Sequence, residues 1–372
     1  MADRVGLMFA FDASFWRDRR VFVTGHTGFK GAWLVLWLTG LGARVTGLSR
    51  PPHTYPSLFA LCAQRLGTDL YGDVADHELV ARVLADCAPE IVIHMAAQAL
   101  VRPSYQDPRG TFATNVMGTA NVLQAVRSVP SVRAAIIVTS DKVYQNDGAG
   151  RAFTEDDRLG GHDPYSSSKA CAEFVTSSFR QCFFDGTCRV ATARAGNVIG
   201  GGDWSPFRVV PDIVEAFEAG NPVALRYPRA VRPWQHVLDP LAGYLMLAQA
   251  MATEPEKAPA TLNFAPDAES FRSVSELAEA LTARWGGRPG WRPDAGEHPH
   301  EASLLTLDAS RARGILGWRP LLSFADAVTW TADWYREFWN GNDVGAVTRA
   351  QIEAFTERLS PAGDRKQRRG TA

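Results

Sequence analysis

Tyr165 and Lys169 stand four residues apart in Tyr165-Ser166-Ser167-Ser168-Lys169. That spacing sets both side chains on one face of a helix. A phenol and an ammonium so placed make an acid/base pair, because the positive charge lowers the phenol's pKa towards neutrality. Tyr165 can then move the proton of a hydroxyl that becomes a ketone. Ser140 ends an apolar run 25 residues earlier and can share the hydrogen bond to that hydroxyl. Asp141 and Lys142 follow it directly, a carboxyl and an amine beside the same point. The other chemically suggestive segment is Gly25-His26-Thr27-Gly28-Phe29-Lys30-Gly31. Its glycines allow a tight turn and a close approach of main chain to a pyrophosphate at a helix N-terminus. The spacing is GxxGxxG rather than GxGxxG, so a dinucleotide site rests on context: a strand before the loop and a helix after it.

The elements that must hold these residues follow from the apolar pattern. Strands are expected at 20–24, 43–48, 69–73, 91–96, 134–140 and 189–194, and helices at 32–38, 76–87, 115–128 and 164–183. Alternation at this spacing predicts an α/β fold, a doubly wound parallel sheet of the Rossmann type. Beyond about residue 200 the chain is rich in Gly, Pro, Trp and Arg, with shorter helices expected near 211–219, 273–285 and 323–340. We read residues 14–200 as the dinucleotide-binding part carrying Ser140, Tyr165 and Lys169. Residues 201–345 form a smaller C-terminal α/β substrate-binding part that interleaves with it, and 346–372 a helix end and a disordered basic tail. Ligands of such sheets bind at the carboxyl ends of the strands.

The second strand ends in Leu48-Ser49-Arg50, with no acid for a ribose 2′-hydroxyl. Arg50 leans towards a 2′-phosphate, hence NADP, or is a solvated loop residue. Asp73 and Val74 close the third strand, where Asp73 can meet an adenine. Ala96, Ala97 and Gln98 supply small residues where main chain must run close to the cofactor.

The chain has 372 residues, with 39 Lys plus Arg against 40 Asp plus Glu, and is 46% hydrophobic. That composition excludes wholesale disorder and coiled coil, and a net charge of −1 provides no global field for nucleic acid or an anionic membrane. The five cysteines form no CxxC, which favours reduced thiols and the cytoplasm. The N-terminus is not read as a signal peptide, and no apolar run approaches a membrane span.

The glycine loop, the strand ending in Ser140 and the YxxxK helix, in that order, resemble the extended short-chain dehydrogenase/reductase superfamily, the NAD-dependent epimerases and dehydratases of nucleotide sugars. The resemblance covers about residues 14–340, and Asn115 and Arg194 also match superfamily positions. It implies NAD, with NADP still open, and Asn115 among the cofactor-site residues. A finer resemblance, to the CDP-glucose 4,6-dehydratases, is carried by Phe15-Trp16, Gly25 to Trp33, Pro56 to Phe59, Thr139 to Tyr144, Gly200 to Trp204, Arg232 to Val237 and His298 to Ala302. It implies a lyase that converts CDP-D-glucose to CDP-4-keto-6-deoxy-D-glucose by internal hydride transfer and loss of water. Asp141 would be the acid at the C6 oxygen, and Lys142 would assist removal of the C5 proton. The resemblance also implies a CDP-sugar as partner, a homodimer, and a loop around His298 and Glu301 that closes over the substrate.

Asn197 and the glycine-rich run Gly200-Gly201-Gly202-Asp203-Trp204 can cradle a diphosphate with main-chain N–H groups. Arg208 and Arg232 suit phosphate, or ordinary salt bridges. Trp204 and Trp234 suit stacking on a base, or the core. Trp33 and Trp37 are read as core. His298, His300 and Glu301 fit a metal poorly, and none is expected. The alternatives are a dTDP- or GDP-sugar 4,6-dehydratase, a C4 epimerase, or a non-catalytic dinucleotide sensor.

Overall fold

The computed structural model describes residues 9–359, apart from 63–66, 147, 149, 185, 187, 287–289 and 297–304. The first half runs β1 (Arg20–Thr24), α1 (Phe29–Gly40), β2 (Arg44–Ser49), α2 (Leu58–Cys62), β3 (Thr68–Tyr71), α3 (His77–Cys87), β4 (Ile91–His94), α4 (Val101–Gln106), α5 (Pro108–Phe112), α6 (Gly118–Arg127), β5 (Ala134–Val138), α7 (Pro164–Phe183) and β6 (Arg189–Arg194). The second half runs β7 (Val198–Ile199), α8 (Val209–Glu218), β8 (Val223–Leu225), β9 (Val231–Pro233), β10 (Gln235–His236), α9 (Leu238–Thr253), β11 (Thr261–Asn263), β12 (Phe271–Ser273), α10 (Val274–Arg284), β13 (Trp291–Pro293), α11 (Ser310–Leu316), α12 (Phe324–Trp339) and α13 (Val344–Leu359).

Seven strands form one sheet in the order β11-β6-β5-β4-β1-β2-β3. All its pairings are parallel. This is the doubly wound α/β sheet expected from the strand–helix alternation. The order reverses beside β1, so the chain leaves β1 and β4 in opposite directions and opens a crevice at their carboxyl ends. One face of the sheet packs on α1 and α9, and the other on α3 and α6. Strands β4 and β5 are buried throughout, as continuous apolar runs on a covered parallel sheet must be.

Local signals fix the helix that carries the chemistry. The Asp163 side chain accepts from Ser166 N and Pro164 occupies the first turn, so α7 begins just ahead of Tyr165. Asp76 caps α3 in the same way. Three features differ from expectation. The stretch read as one helix over 115–128 is a π-helical turn at Ala113–Met117 followed by α6. Helix α9 is buried nearly all round, so it shows no amphipathic stripe and escapes a periodicity reading. The expected helix end near 346 is a complete helix of 16 residues, α13, packed on α1 and α2, with the Phe355 ring 5.6 Å from Trp37. Both α9 and β11 belong to the core of the main sheet although they lie beyond residue 200. The basic tail from 360 lies outside the described residues.

Candidate active site

A cavity of about 1410 Å³ opens along the carboxyl ends of the strands. Single small-molecule pockets span roughly 300–1,000 Å³, so this one has room for two nucleotides. At one end stands the loop between β1 and α1. Gly25 has φ +77°, and a Cβ there would come 2.7 Å from Ala96 N. A Cβ on Gly31 would come 2.1 Å from Gly25 O. The loop therefore closes on itself only with glycine, and the start of α1 presents N–H groups that no side chain caps. Thr27 Oγ1 lies 2.8 Å from Ser49 Oγ and donates to Arg50 O, tying the loop to the end of β2. Gly25, Thr27, Gly28, Phe29, Lys30 and Gly31 line the cavity, as do Arg50, Asp73, Val74, Ala96, Ala97 and Gln98. The cradle, its small walls and the helix end fit a dinucleotide.

The catalytic candidates meet at the centre. Ser140, Asp141, Lys142, Tyr165 and Lys169 all line the same cavity. Tyr165 shares a hydrogen bond with Ser140. Ser140 Oγ donates to Asp141 Oδ1 at 2.9 Å, and the Lys142 ammonium lies 3.6 Å from the same carboxyl. Asn197 Nδ2 donates to Asp141 Oδ2 at 3.3 Å. Asp141 is buried against Gly196, where a Cβ would fall 2.1 Å from its carboxyl carbon. The segment around Gly196 thus needs glycine to admit the acid, a requirement that nothing local in the sequence announces.

One electrostatic expectation is corrected. Burial pushes the Tyr165 phenol above its ordinary value of 10, against the Ser140 hydrogen bond and the Lys142 charge. The lowering expected from Lys169 is not found: burial is the larger influence on Tyr165, and Lys169 Nζ donates to Val138 O at 2.9 Å. Burial also pulls Lys169 down to about 8, opposed by Glu173. Lys30, expected only as part of the phosphate loop, reaches the Tyr244 hydroxyl of α9 at 3.3 Å. Burial and the Arg208 and Lys169 charges lower it to about 7, against the pull of Asp141.

Towards the other end, Asn197, Arg208, Arg232 and Trp234 line the cavity. Arg208 Nη1 donates to Asp203 at 2.8 Å, and burial and that carboxylate have opposite effects, with the net proton affinity raised. Three other candidates are corrected. Asn115 is buried away from the cavity. Its amide accepts from Gln98 N at 2.8 Å and donates to Gln98 O and Ser168 Oγ, so it joins the cofactor loop to α7. Gly202 has φ +81° and faces Leu58 of α2, which would sit 2.8 Å from a Cβ. Trp204 packs among Trp334, Tyr335 and Phe338, with ring centroids 5.6, 5.9 and 5.2 Å away. It is an apolar anchor of α12 and not part of the cavity wall. Trp33 and Trp37 are core, and Trp33 Nε1 donates to Gly201 O at 2.9 Å, fixing the glycine-rich loop from behind. His298, His300 and Glu301 lie outside the described residues. Among the described residues no group of three or more His, Cys, Asp or Glu is placed to hold a metal, and no helix is long and apolar enough to cross a membrane.

Arg194, noted in the sequence only as a match to a superfamily position, has a partner that the sequence did not single out, Glu173. Arg194 Nη2 donates to Glu173 Oε2 at 2.8 Å, both side chains being almost fully buried. Glu173 lies four residues beyond Lys169, so the spacing that joins Tyr165 to Lys169 continues to it.

Comparison with known proteins adds to this geometry. Residues 22–331 match the family model for GDP-mannose 4,6 dehydratase. A CDP-glucose 4,6-dehydratase from Salmonella typhimurium is 43% identical over 351 residues, 92% of this chain and 98% of that protein. A dTDP-glucose 4,6-dehydratase from Xanthomonas campestris is 28% identical, covering 84% of this chain and 92% of its own length. Among solved structures, DesIV, a dTDP-glucose 4,6-dehydratase from Streptomyces venezuelae with NAD and TYD bound, superposes with a TM-score of 0.73 at 26% identity, covering 87% of this chain and 98% of its own.

Proposed function

This chain belongs to the GDP-mannose 4,6 dehydratase family, and on that premise we propose that it converts CDP-D-glucose to CDP-4-keto-6-deoxy-D-glucose. The observation that carries the choice of nucleotide is the 43% identity, over almost the whole of both chains, to a CDP-glucose enzyme, against 28% for a dTDP-glucose enzyme. The cofactor is NAD, held at the glycine-loop end; DesIV supports this with NAD bound in its structure. When bound, NAD supplies the capacity to accept hydride from C4 and to return it at C6.

The chain's own residues handle the protons. Tyr165, with Ser140, holds the C4 hydroxyl and, as the phenolate, takes its proton as the ketone forms. The ketone acidifies the C5 hydrogen, which Lys142 removes as the neutral amine after passing its ammonium proton to the adjacent Asp141 carboxylate. Asp141 gives a proton to the C6 oxygen, which leaves as water. Arg208 and Arg232 hold the substrate diphosphate. The product is the substrate less one water, so the enzyme is a hydro-lyase and ends each turnover with its cofactor in the starting state. Tight retention of NAD follows.

The enzyme acts as a homodimer in the cytoplasm. The first point is supported by the exposed Tyr105, Phe112, Met117 and Phe174 on neighbouring α4, α5, the π-helical turn and α7. The second is supported by five cysteines that are all free. Sedimentation of the purified chain tests the dimer. The substrate is tested by incubating the protein with CDP-, dTDP-, GDP- and UDP-glucose without added cofactor. Formation of a 4-keto-6-deoxy sugar from the CDP substrate alone is expected. Turnover of another nucleotide in preference to it overturns the assignment. Extraction of NADP in place of NAD would make Arg50 a 2′-phosphate ligand and correct the cofactor.

A further inference from the structure

We propose that Glu173 is a positioning residue of this reaction: it clamps the end of β5 that delivers Ser140 and Asp141, and it supplies the negative charge that faces Lys169. The inference rests on the role given above to Tyr165, which α7 carries on the same face as Lys169. It goes beyond that role in adding a residue that touches neither ligand.

The geometry carries it. Tyr165, Lys169 and Glu173 form one stripe down α7 at successive intervals of four residues. Lys169 Nζ holds Val138 O at 2.9 Å, and Glu173 Oε1 accepts from Thr139 Oγ1 at 2.5 Å. Two consecutive residues, Val138 at the end of β5 and Thr139 just beyond it, are therefore gripped from α7 immediately before Ser140. The same carboxylate accepts from Thr192 Oγ1 at 2.8 Å on β6 and takes two hydrogen bonds from Arg194, from Nε and Nη2, each 2.8 Å. Every acceptor position of Glu173 is thus engaged with the strands behind the catalytic centre. Arg194 continues the chain of contacts. Its Nη1 donates to the Tyr144 hydroxyl at 2.7 Å, and Tyr144 donates to Asn263 Oδ1 at 2.7 Å. The clamp thereby joins α7, β5, β6 and β11.

Charge supplies the second half. Lys169 faces His94 of β4, Lys30 of α1 and Glu173 of its own helix. His94 is buried between Thr24 and Thr119, and its burial lowers it to about 3, so it is neutral at working pH. Lys30 is a second amine. Glu173 is the carboxylate that favours the ammonium form of Lys169, against a burial that favours the neutral amine. Withdrawing its charge leaves burial unopposed and moves the proton affinity of Lys169 further down.

The chain has five lysines, few enough to assign the Lys169 side-chain resonance in labelled protein by Lys169→Arg exchange. In the wild type its titration midpoint is expected near 8. In Glu173→Gln it is expected lower by about one pH unit or more, and in Glu173→Asp close to wild type. Since Glu173→Gln strands a buried arginine, the paired variant Glu173→Gln/Arg194→Gln removes both charges and is read for the same displacement. The alkaline limb of kcat/KM with CDP-glucose is expected to move with the midpoint. Thr139→Val keeps both charges and removes one arm of the clamp; it is expected to lower kcat and leave that limb in place. An unmoved Lys169 midpoint in both Gln variants overturns the charge half, and wild-type kcat in Thr139→Val overturns the clamp. The titration needs no substrate. A shifted midpoint in a protein inert towards CDP-glucose therefore sinks the proposed substrate and not this inference.

Discussion

The two ends of the cavity are built from different materials. The cofactor end is main chain: glycines that exclude a Cβ, alanines 96 and 97, and an uncapped helix start. The catalytic centre is side chain, assembled from β5, α7 and the 196–197 turn by contacts that span from one residue to 56 residues of sequence. A main-chain cradle tolerates no added atoms but makes few demands on charge. A side-chain centre tolerates small changes of shape and depends on which groups are ionised. Substitutions at the two ends should therefore fail in different ways.

The largest expected effect is at the centre. Tyr165→Phe should lower kcat on CDP-glucose by about 10²–10⁴-fold, while NAD extracted from the protein is unchanged. Full activity would remove Tyr165 from the mechanism. Deeper in the same region, Arg194→Met leaves Glu173 buried and unpaired, which should cost about 3–5 kcal/mol of stability by denaturant unfolding. A loss below about 1 kcal/mol would mean that water reaches the site. At the cofactor end, Gly31→Ala sets a Cβ against Gly25 O and should weaken NAD binding by about tenfold or more. The kcat at saturating NAD should suffer far less, and the reverse pattern would break the contrast. The centre should also show a pH signature. Lys169 gives up its proton as pH rises through about 8, and kcat/KM is expected to fall over the same range as that charge leaves the centre. Smallest is Trp204→Phe, which trims an aromatic cluster outside the cavity. It should lower Tm by a few degrees with KM for CDP-glucose unchanged; a several-fold rise in KM would return Trp204 to the substrate site.

The same contrast explains what could be read in advance. The glycine loop, the strand ends and the start of α7 are set by local rules, so Gly25 to Gly31 could be singled out from their spacing with a strand before and a helix after, Ser140 from the end of an apolar run, and Tyr165 and Lys169 from the YxxxK spacing. The long helices were legible where one face is apolar and lost where all faces are, as in α9. Asn115 and Trp204 matched or suited a ligand site by type. Each is instead spent on a protein contact, Asn115 on Gln98 and Ser168, and Trp204 on α12. Arg208 suited either phosphate or a salt bridge; it lines the cavity and also pairs with Asp203, five residues earlier, so the two readings meet in one side chain. Glu173 was legible in principle from its spacing to Lys169, whereas its pairing with Arg194 on β6 depends on the sheet.

The central claim is that oxidation at C4, loss of water and reduction at C6 occur in one site on one sugar. Incubating the enzyme with CDP-glucose deuterated at C4 and locating the label in the product by NMR tests it most directly. The deuterium is expected at C6 of CDP-4-keto-6-deoxyglucose, delivered within the same molecule. Label remaining at C4 in a sugar that has kept its C6 hydroxyl would contradict the account and indicate an epimerase.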